Sequence, residues 1–388
     1  HMQHLYHTIF LNTNSFYLIH QALYVETLYT FDKNGKVSQA LLPKNNFGTR
    51  NTLAKINHDE GFEVLHTNGS EGAKDFGYFS SIFNEKGVAI NRTEIKPTAL
   101  KQGTWTFGGK INGDYYLYGT QKGYSEDGGI NCLIESLNPD GSKKNTFVYA
   151  VKLEDNKFPV PSWQEDGGSI GNHAHIHFSE PENAIYVYGL FQTKKKGNVT
   201  GIASTKLLQE GVFIHKVSLD GKVIYQKQHY FKDLNIKVSD LNKEILLEEN
   251  KYTGVLTLGI LEVFNRYTKH KSFVIMIDKK EGNVTEQFTG KDYDDTRTVF
   301  KTTANNIKYN SYIKNGQTEL STLYKGFNGR SNIEWVSTFV DATGKIPAKP
   351  FYLSHKCFIL HGKDGNWIVN FDYSDAKKPV LKIFGAQS

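Results

Sequence analysis

The densest chemistry in this chain is the run Asn172-His173-Ala174-His175-Ile176-His177. In an extended strand residues two apart share a face, so the three imidazoles are expected to point the same way. Neighbours in such a series stand about 7 Å apart at Cα, close enough to share one metal ion. The first and third stand about 13 Å apart, too far for easy sharing. A metal site would therefore use two of them, His173 and His175, and take a carboxylate or histidine from elsewhere. Glu165 and Asp166, a few residues upstream, are candidate donors, with zinc, calcium or manganese as candidate ions. Without a metal, His173, His175 and His177 are candidates for proton transfer. The plain alternative is a polar strand face turned to solvent.

A second group emerges when the chain is aligned on itself. A short apolar strand closed by Gly or His recurs as FYLIH (16–20), FEVLH (62–66), YYLYG (115–119), IYVYG (185–189), VLTLG (255–259) and FILHG (358–362). A weaker copy lies near YNSYIKNG (309–316). The closing residue is Gly119, Gly189 or Gly259 in three copies and His20, His66 or His361 in three others. In a closed ring these last three would be neighbours, placing three ligand-binding histidines at one level.

Other residues point to recognition. Trp163 lies in a loop with no evident core role and is the candidate for stacking on a sugar ring. Trp105 and Trp367 fall in alternating strand patterns and are expected in the core. Arg50, Arg92, Arg297 and Arg330 are the arginines from which a carboxylate clamp could come. The turns Asp32–Gly35 and Asn138–Gly141, and the acidic run 292–295, resemble fragments of calcium loops but lack the later spaced ligands. Lys194, Lys195 and Lys196 read as a solvated loop. No broad basic stripe is present, so a nucleic-acid partner is not expected. The signatures of P-loop, dinucleotide-binding, nucleophile-elbow and zinc-protease sites are missing.

The elements that must carry these residues are hairpins. Turns at Gly35, Gly87, Gly141, Gly221, Gly282, Gly344 and near Ala376 each separate two β-forming stretches. A recurrent strand, a variable loop and a turn-linked strand pair describe most of a four-stranded unit. The longest interval, between Gly141 and Gly221, places an insertion at about 152–172; its prolines and Gly-Gly predict loop rather than strand. Helix is nearly absent: only 240–252 has helix-like composition, and it reads equally well as a strand with a turn.

Composition agrees. The chain has 388 residues, 25 Phe and 22 Tyr against 2 Met, and 35 Gly, which suits many short strands and turns. Cys132 and Cys357 sit in apolar stretches and read as buried small hydrophobes. No apolar run reaches the length of a transmembrane helix. His1-Met2 reads as an expression remnant, and a cut-away signal peptide, expected of an exported protein, would leave no trace here.

The repeats resemble the β-propeller superfamily, in the pattern strand–YG–loop–strand–DGK–strand, over nearly the whole chain. The resemblance implies an all-β, single-domain propeller over 1–388, most simply seven-bladed, with six or eight blades open. In that arrangement the N-terminal segment 5–11 is expected to complete the C-terminal blade. The aromatic, Asn- and Lys-rich, cysteine-poor style resembles exported bacterial proteins, so a periplasmic, cell-surface or secreted location is expected. The sequence-level reading of function is an exported, non-catalytic binding or assembly module for a glycan or protein partner. The alternative is a propeller polysaccharide lyase or hydrolase working through the clustered histidines.

Overall fold

The computed structural model describes residues 7–11, 15–22, 25–32, 36–41, 52–58, 61–68, 77–84, 86, 88–100, 105–121, 130–159, 161–162, 171–172, 174–193, 209–238, 242–249, 256–263, 272–289, 309–314, 317–325, 333–341, 351–354, 357–362, 365–372 and 380–385. From residue 309 onward it describes the course of the backbone alone. These residues form strands and turns and no helix.

The strands make seven larger antiparallel sheets in chain order and one two-stranded ladder. The first sheet holds β1 (His7–Leu11), β2 (Ser15–Ala22), β3 (Val25–Asp32) and β4 (Val37–Leu41). The second holds β5 (Thr52–His58), β6 (Gly61–Asn68), β7 (Gly77–Asn84) and β8 (Ala89–Ile95). The third holds β9 (Thr106–Ile111), β10 (Asp114–Gln121), β11 (Ile130–Leu137) and β12 (Lys143–Val151). Next come β13 (Lys157–Pro159), the ladder β14 (Pro161–Ser162) with β15 (Gly171–Asn172), and then β16 (His175–Ser179), β17 (Ala184–Thr193), β18 (Gly211–Ser218) and β19 (Val223–Tyr230). In this fourth sheet β17, β18 and β19 follow in order, and β13 and β16 both pair with β17, along different halves of it. The fifth sheet is β20 (Asn242–Glu249), β21 (Leu256–Val263), β22 (Ser272–Ile277) and β23 (Val284–Thr289). The sixth is β24 (Tyr309–Lys314), β25 (Gln317–Lys325), β26 (Ile333–Asp341) and β27 (Phe351–Ser354). The seventh has three strands, β28 (Cys357–Gly362), β29 (Gly365–Asp372) and β30 (Val380–Gly385).

The third-to-fourth strand turns form as their glycines predict. Gly141, Gly221 and Gly282 take φ of 80°, 89° and 74°, a left-handed conformation that other residues adopt at a cost. In the Gly221 turn the Gly221 amide donates to the Ser218 carbonyl at 2.9 Å and the Ser218 amide to the Lys222 carbonyl at 2.8 Å. Pairing slips by one residue beside both turns, a bulge next to a three-residue loop ending in left-handed Gly221 and next to a four-residue loop, 279–282, ending in left-handed Gly282. The Asp140 carboxylate, a candidate calcium ligand, accepts instead from the Ser142 amide and hydroxyl and so closes its own turn.

Middle strands are buried on both faces, which is why they read as near-continuous apolar runs. β18, GVFIHKVS, is buried at every position but the last. Fourth strands are largely exposed, as in β8 and β19. The chain divides into two compact units: 1–119 with 133–148, and 120–132 with 149–388. In the first, Leu65, Ile95, Tyr115, Leu117 and Leu137 form one core cluster, and Leu28, Phe62, Val64 and Phe83 another. In the second, Tyr186, Tyr188, Val212 and Ile214 of the fourth sheet pack against Ile245, Leu258, Ile260 and Ile275 of the fifth. Each fully buried residue of this size contributes roughly 1.5–3 kcal/mol.

Three expectations need correcting. The segment 5–11 does not complete the last sheet: His7–Leu11 pairs with β2 in the first, from His7 opposite His20 to Leu11 opposite Phe16. The insertion at 152–172 is not all loop, because Lys157–Pro159 adds a strand to the fourth sheet and Pro161 and Ser162 pair with Asn172 and Gly171. The weak copy at 309–316 is a first strand, and the second strand of its sheet is Gln317–Lys325. The segment 240–252, ambiguous in sequence, contains β20.

Candidate functional site

The short strand β16 brings His175 and His177 to one face. Each stands opposite a tyrosine of β17: His175 opposite Tyr188, with rings stacked at 5.1 Å, and His177 opposite Tyr186, with rings tilted at 6.2 Å. Cross-strand partners share a face, so the His177 row continues through Lys216 of β18 to Tyr225 of β19. Tyr186 and Tyr225 belong to the core shared with the fifth sheet, so the row faces that sheet.

Four charges close over the row. Lys216 Nζ donates to Glu182 Oε2 at 2.8 Å and to the Lys279 carbonyl at 2.9 Å. Lys279 Nζ donates to Glu249 and lies 3.5 Å from Glu182 Oε1. His177 Nε2 stands 3.6 Å from Glu249 Oε2, an ion-pair distance beyond hydrogen-bond reach. Glu182 comes from the β16–β17 turn, Lys279 from the β22–β23 turn and Glu249 from the end of β20, so neighbouring strand ends build the cluster. Hydrogen bonding from Lys216 holds the Glu182 carboxyl below its usual range. Burial works to raise the pKa of Glu249, but His177, Lys279 and Ser179 outweigh it and hold the group at about 2. Burial pushes the Tyr186 and Tyr225 hydroxyls well above the usual range. The two hydroxyls face each other and His177 Nε2 faces Glu249, each pair just outside strict hydrogen-bond geometry. At neutral pH the cluster offers hydrogen bonds and fixed charges. Its carboxylates are too acidic, and its phenols too weakly acidic, to exchange protons readily.

On the opposite face of the fourth sheet, buried His215 accepts or donates through Nδ1 to the Tyr149 hydroxyl at 2.8 Å, and Gln226 donates to that hydroxyl at 3.0 Å. Burial lowers the His215 pKa to about 4 and raises that of nearby Cys132 to about 12. In the first unit, buried His66 bonds through Nε2 to Ser81 Oγ at 2.8 Å and stacks on Phe79. The Arg92 guanidinium lies 4.0 Å above the same Phe79 ring. Also there, Glu63 accepts from Tyr115 at 2.8 Å, from Lys110 at 2.9 Å and from Ser80. Composition and spacing gave no hint of Glu63, Glu182, Glu249 or Lys279, since a lone charged residue in a strand or turn carries no periodic signal.

The predicted residues divide as follows. His175 and His177 share a face, as expected. His173, Trp163, Glu165 and Asp166 lie outside the described residues, as do Arg50, Arg297, Arg330 and Lys194 to Lys196. His20 and His361 are described by backbone only. The expected equivalence of His20, His66 and His361 does not hold. His20 lies opposite His7 and His66 opposite Thr52, each at the start of a first strand. In the seventh sheet that place belongs to Asn370, opposite Cys357. His361 is on the first strand itself, at its other end, opposite Asn366. The position that does recur is the one His20 and His66 occupy: Tyr118 opposite Thr106 and Tyr188 opposite His175 fill it in the third and fourth sheets. Among the described residues no three His, Cys, Asp or Glu side chains are grouped to hold a metal. No described helix is long and apolar enough to cross a membrane.

No family model matches the chain, and no curated protein does. Among solved structures it is similar to an endo-arabinase from Bacteroides thetaiotaomicron, with 12% identity, 71% of this chain and 95% of that one covered, and a TM-score of 0.35. A Synechocystis apocarotenoid oxygenase variant gives 10% identity, 94% and 82% coverage and a TM-score of 0.42. An exo-1,5-alpha-L-arabinanase from a bovine ruminal metagenomic library gives 11%, 79% and 98%, and 0.34. Identities and scores this low leave the architecture to be argued from the chain's own strand order. That order defines an all-β protein of successive antiparallel sheets.

Proposed function

We propose that the seven sheets are the blades of a β-propeller that acts, outside the cytoplasm, as a non-catalytic binding or assembly module for a glycan or protein partner. The observation that carries this reading is where the exposed aliphatic side chains fall. Six of the eight among the described residues lie on fourth strands at the open edge of their sheets, Val37 and Leu41 on β4, Ile90 on β8, Val148 on β12, and Val223 and Ile224 on β19; Val88 and Val238 lie outside them. Leu41 is 68% exposed and Ile90 65%. Exposed aliphatics on an unpaired edge are a liability unless a partner covers them.

A second reading, a propeller polysaccharide lyase or hydrolase, is favoured by one observation: His175 and His177 each stand against a tyrosine on a common face. One experiment separates the two. The purified protein is screened against neutral and acidic oligosaccharides for binding, and the same mixtures are assayed for new reducing ends and for the ultraviolet absorbance of lyase products. Binding without product supports the module; product formation overturns it. Stoichiometric metal in the protein, lost in His175→Ala, would instead support a metal centre built on His173 and His175.

A further inference from the structure

We propose that the open edge of β8 docks an extended strand of a partner protein, aliphatic in character and carrying a carboxylate where it passes Arg92. The inference rests on the binding reading above and names the partner and the sheet that takes it. β8 is the last strand of its sheet, and among the described residues it pairs with β7 alone. The β11–β12 turn closes the far end of its outer edge: Gly141 lies so close to the Glu94 carbonyl that a Cβ there would clash. The stretch from Val88 to Thr93 stays open, about the length of an ordinary strand. Val88 and Ile90 lie on it, 57% and 65% exposed. A segment laid along this edge would gain affinity from backbone hydrogen bonds and selectivity from side-chain contacts.

Charge selects the partner. From Lys86 to Lys96 the one acid is Glu94, and it pairs with Lys96 at 3.0 Å. Arg92 is exposed and has no ion-pair partner among the described residues. Its guanidinium is nonetheless held, 4.0 Å over the Phe79 ring; Phe79 stacks on buried His66, and His66 bonds to Ser81 at 2.8 Å. An arginine positioned in advance loses little side-chain entropy on binding, and its fork meets a carboxylate through two parallel hydrogen bonds. A charge on an edge strand ordinarily keeps other strands away. Two exposed aliphatics beside it work against that, so the charge sorts partners instead of repelling all of them. A second copy of β8 fits less well. Antiparallel pairing through Ile90 sets Arg92 opposite Val88, and pairing centred on Arg92 sets like charges opposite. The register that sets Arg92 opposite Glu94 runs into the place that the β11–β12 turn holds. On β19, by contrast, Lys222 beside Val223 and Ile224 is already engaged by Asp220 at 2.8 Å.

The test is fluorescence anisotropy with a labelled peptide of about six residues, alternating valine and threonine around a central aspartate. One comparator carries lysine for the aspartate, and another carries N-methyl groups on alternate amides. They are titrated with the unaltered protein and with Arg92→Lys, Arg92→Gln and Ile90→Asp, and with Val148→Asp as a control on another edge. Each variant is melted without peptide; Arg92 and Ile90 are exposed, so the melting temperature should hardly move. The aspartate peptide is expected to bind. Either comparator, and each β8 variant, should weaken binding about tenfold, Arg92→Lys included, because lysine keeps the charge without the fork. No binding of the aspartate peptide, equal binding of the lysine peptide, or binding indifferent to the β8 variants would overturn the docking edge. A dimer that Ile90→Asp breaks, with no peptide bound, would also overturn it and make a second copy the occupant. An oligosaccharide bound with no peptide bound would sink the edge and keep the module. Cleavage of an oligosaccharide by protein that still binds the aspartate peptide would sink the non-catalytic module and keep the edge.

Discussion

Glu63→Ala should destabilise the first unit more than any ordinary polar-to-alanine change. Glu63 is fully buried on β6, and its carboxylate is the common acceptor for the Tyr115 hydroxyl at 2.8 Å, the Lys110 ammonium at 2.9 Å and the Ser80 hydroxyl. Alanine removes that acceptor from all three at once. The Lys110 side chain is only 15% exposed, so its ammonium cannot recover full hydration. Breaking a buried pair from one side costs about 3–5 kcal/mol, and each stranded hydroxyl adds to that. The sum is not additive, and about 4 kcal/mol is the expected loss, a large part of a total stability of roughly 5–15 kcal/mol. Glu63→Gln keeps an acceptor without the charge and should fall between. The triple change Glu63→Leu, Lys110→Met, Tyr115→Phe strands nothing and should regain most of the loss. Urea unfolding followed by tryptophan fluorescence, with the slope compared across variants, gives the numbers. A single-variant loss under about 1 kcal/mol, or a triple variant no better than the single, would refute the argument.

Four further outcomes follow from the geometry. Burial depresses the His215 pKa from 6.5 to about 4, so the fold prefers the neutral ring. That contribution is complete above pH 6.5 and is lost as pH falls toward 4, up to about 3 kcal/mol; His215→Gln should flatten acid unfolding in that window. Glu249, held at about 2 instead of 4.5, stabilises fully above pH 4.5 and loses its contribution as pH falls toward 2, so Glu249→Gln should destabilise most above pH 4.5 and flatten urea-measured stability against pH in the lower window. Gly282→Ala should lower the melting temperature by several degrees, because φ is +74° and the new Cβ would sit 2.4 Å from the Tyr225 ring; an unchanged melt would contradict this. In a Cys357→Ser background the remaining thiol, Cys132, is buried with a pKa of about 12, so a thiol reagent should label it only after denaturation.

The turns were legible in the sequence because each rests on a local rule. Asp-Gly, Lys-Gly or Glu-Gly between β-formers demands a left-handed residue, and Gly141, Gly221 and Gly282 supply it. The middle strands were legible because burial on both faces leaves a continuous apolar run. The last sheet was misaligned for a physical reason: FILHG resembles a second strand in composition, but it pairs with β29 alone and so opens its sheet, and only pairing reveals that. The His-x-His face was legible from period-two alternation. The charges that close over it were not. Glu182, Lys279 and Glu249 come from three separate strand ends, and no spacing rule connects residues that meet only after two sheets have packed.

The strand order also bears on how the chain reaches this state. Apart from the β13–β17 contact, each strand pairs with one adjacent in sequence or, across the third-to-fourth turns, with the next one along. Contacts of such short range cost little loop-closure entropy, so a sheet can form as soon as its own sixty or so residues are free, a length of about that order for a four-stranded unit. During synthesis the sheets can therefore be laid down one after another from the amino terminus. Lys157–Pro159 is the exception. It must wait for Phe191, Gln192 and Thr193 to emerge before its edge is covered, so it is the stretch of backbone left unpaired longest in the growing fourth sheet.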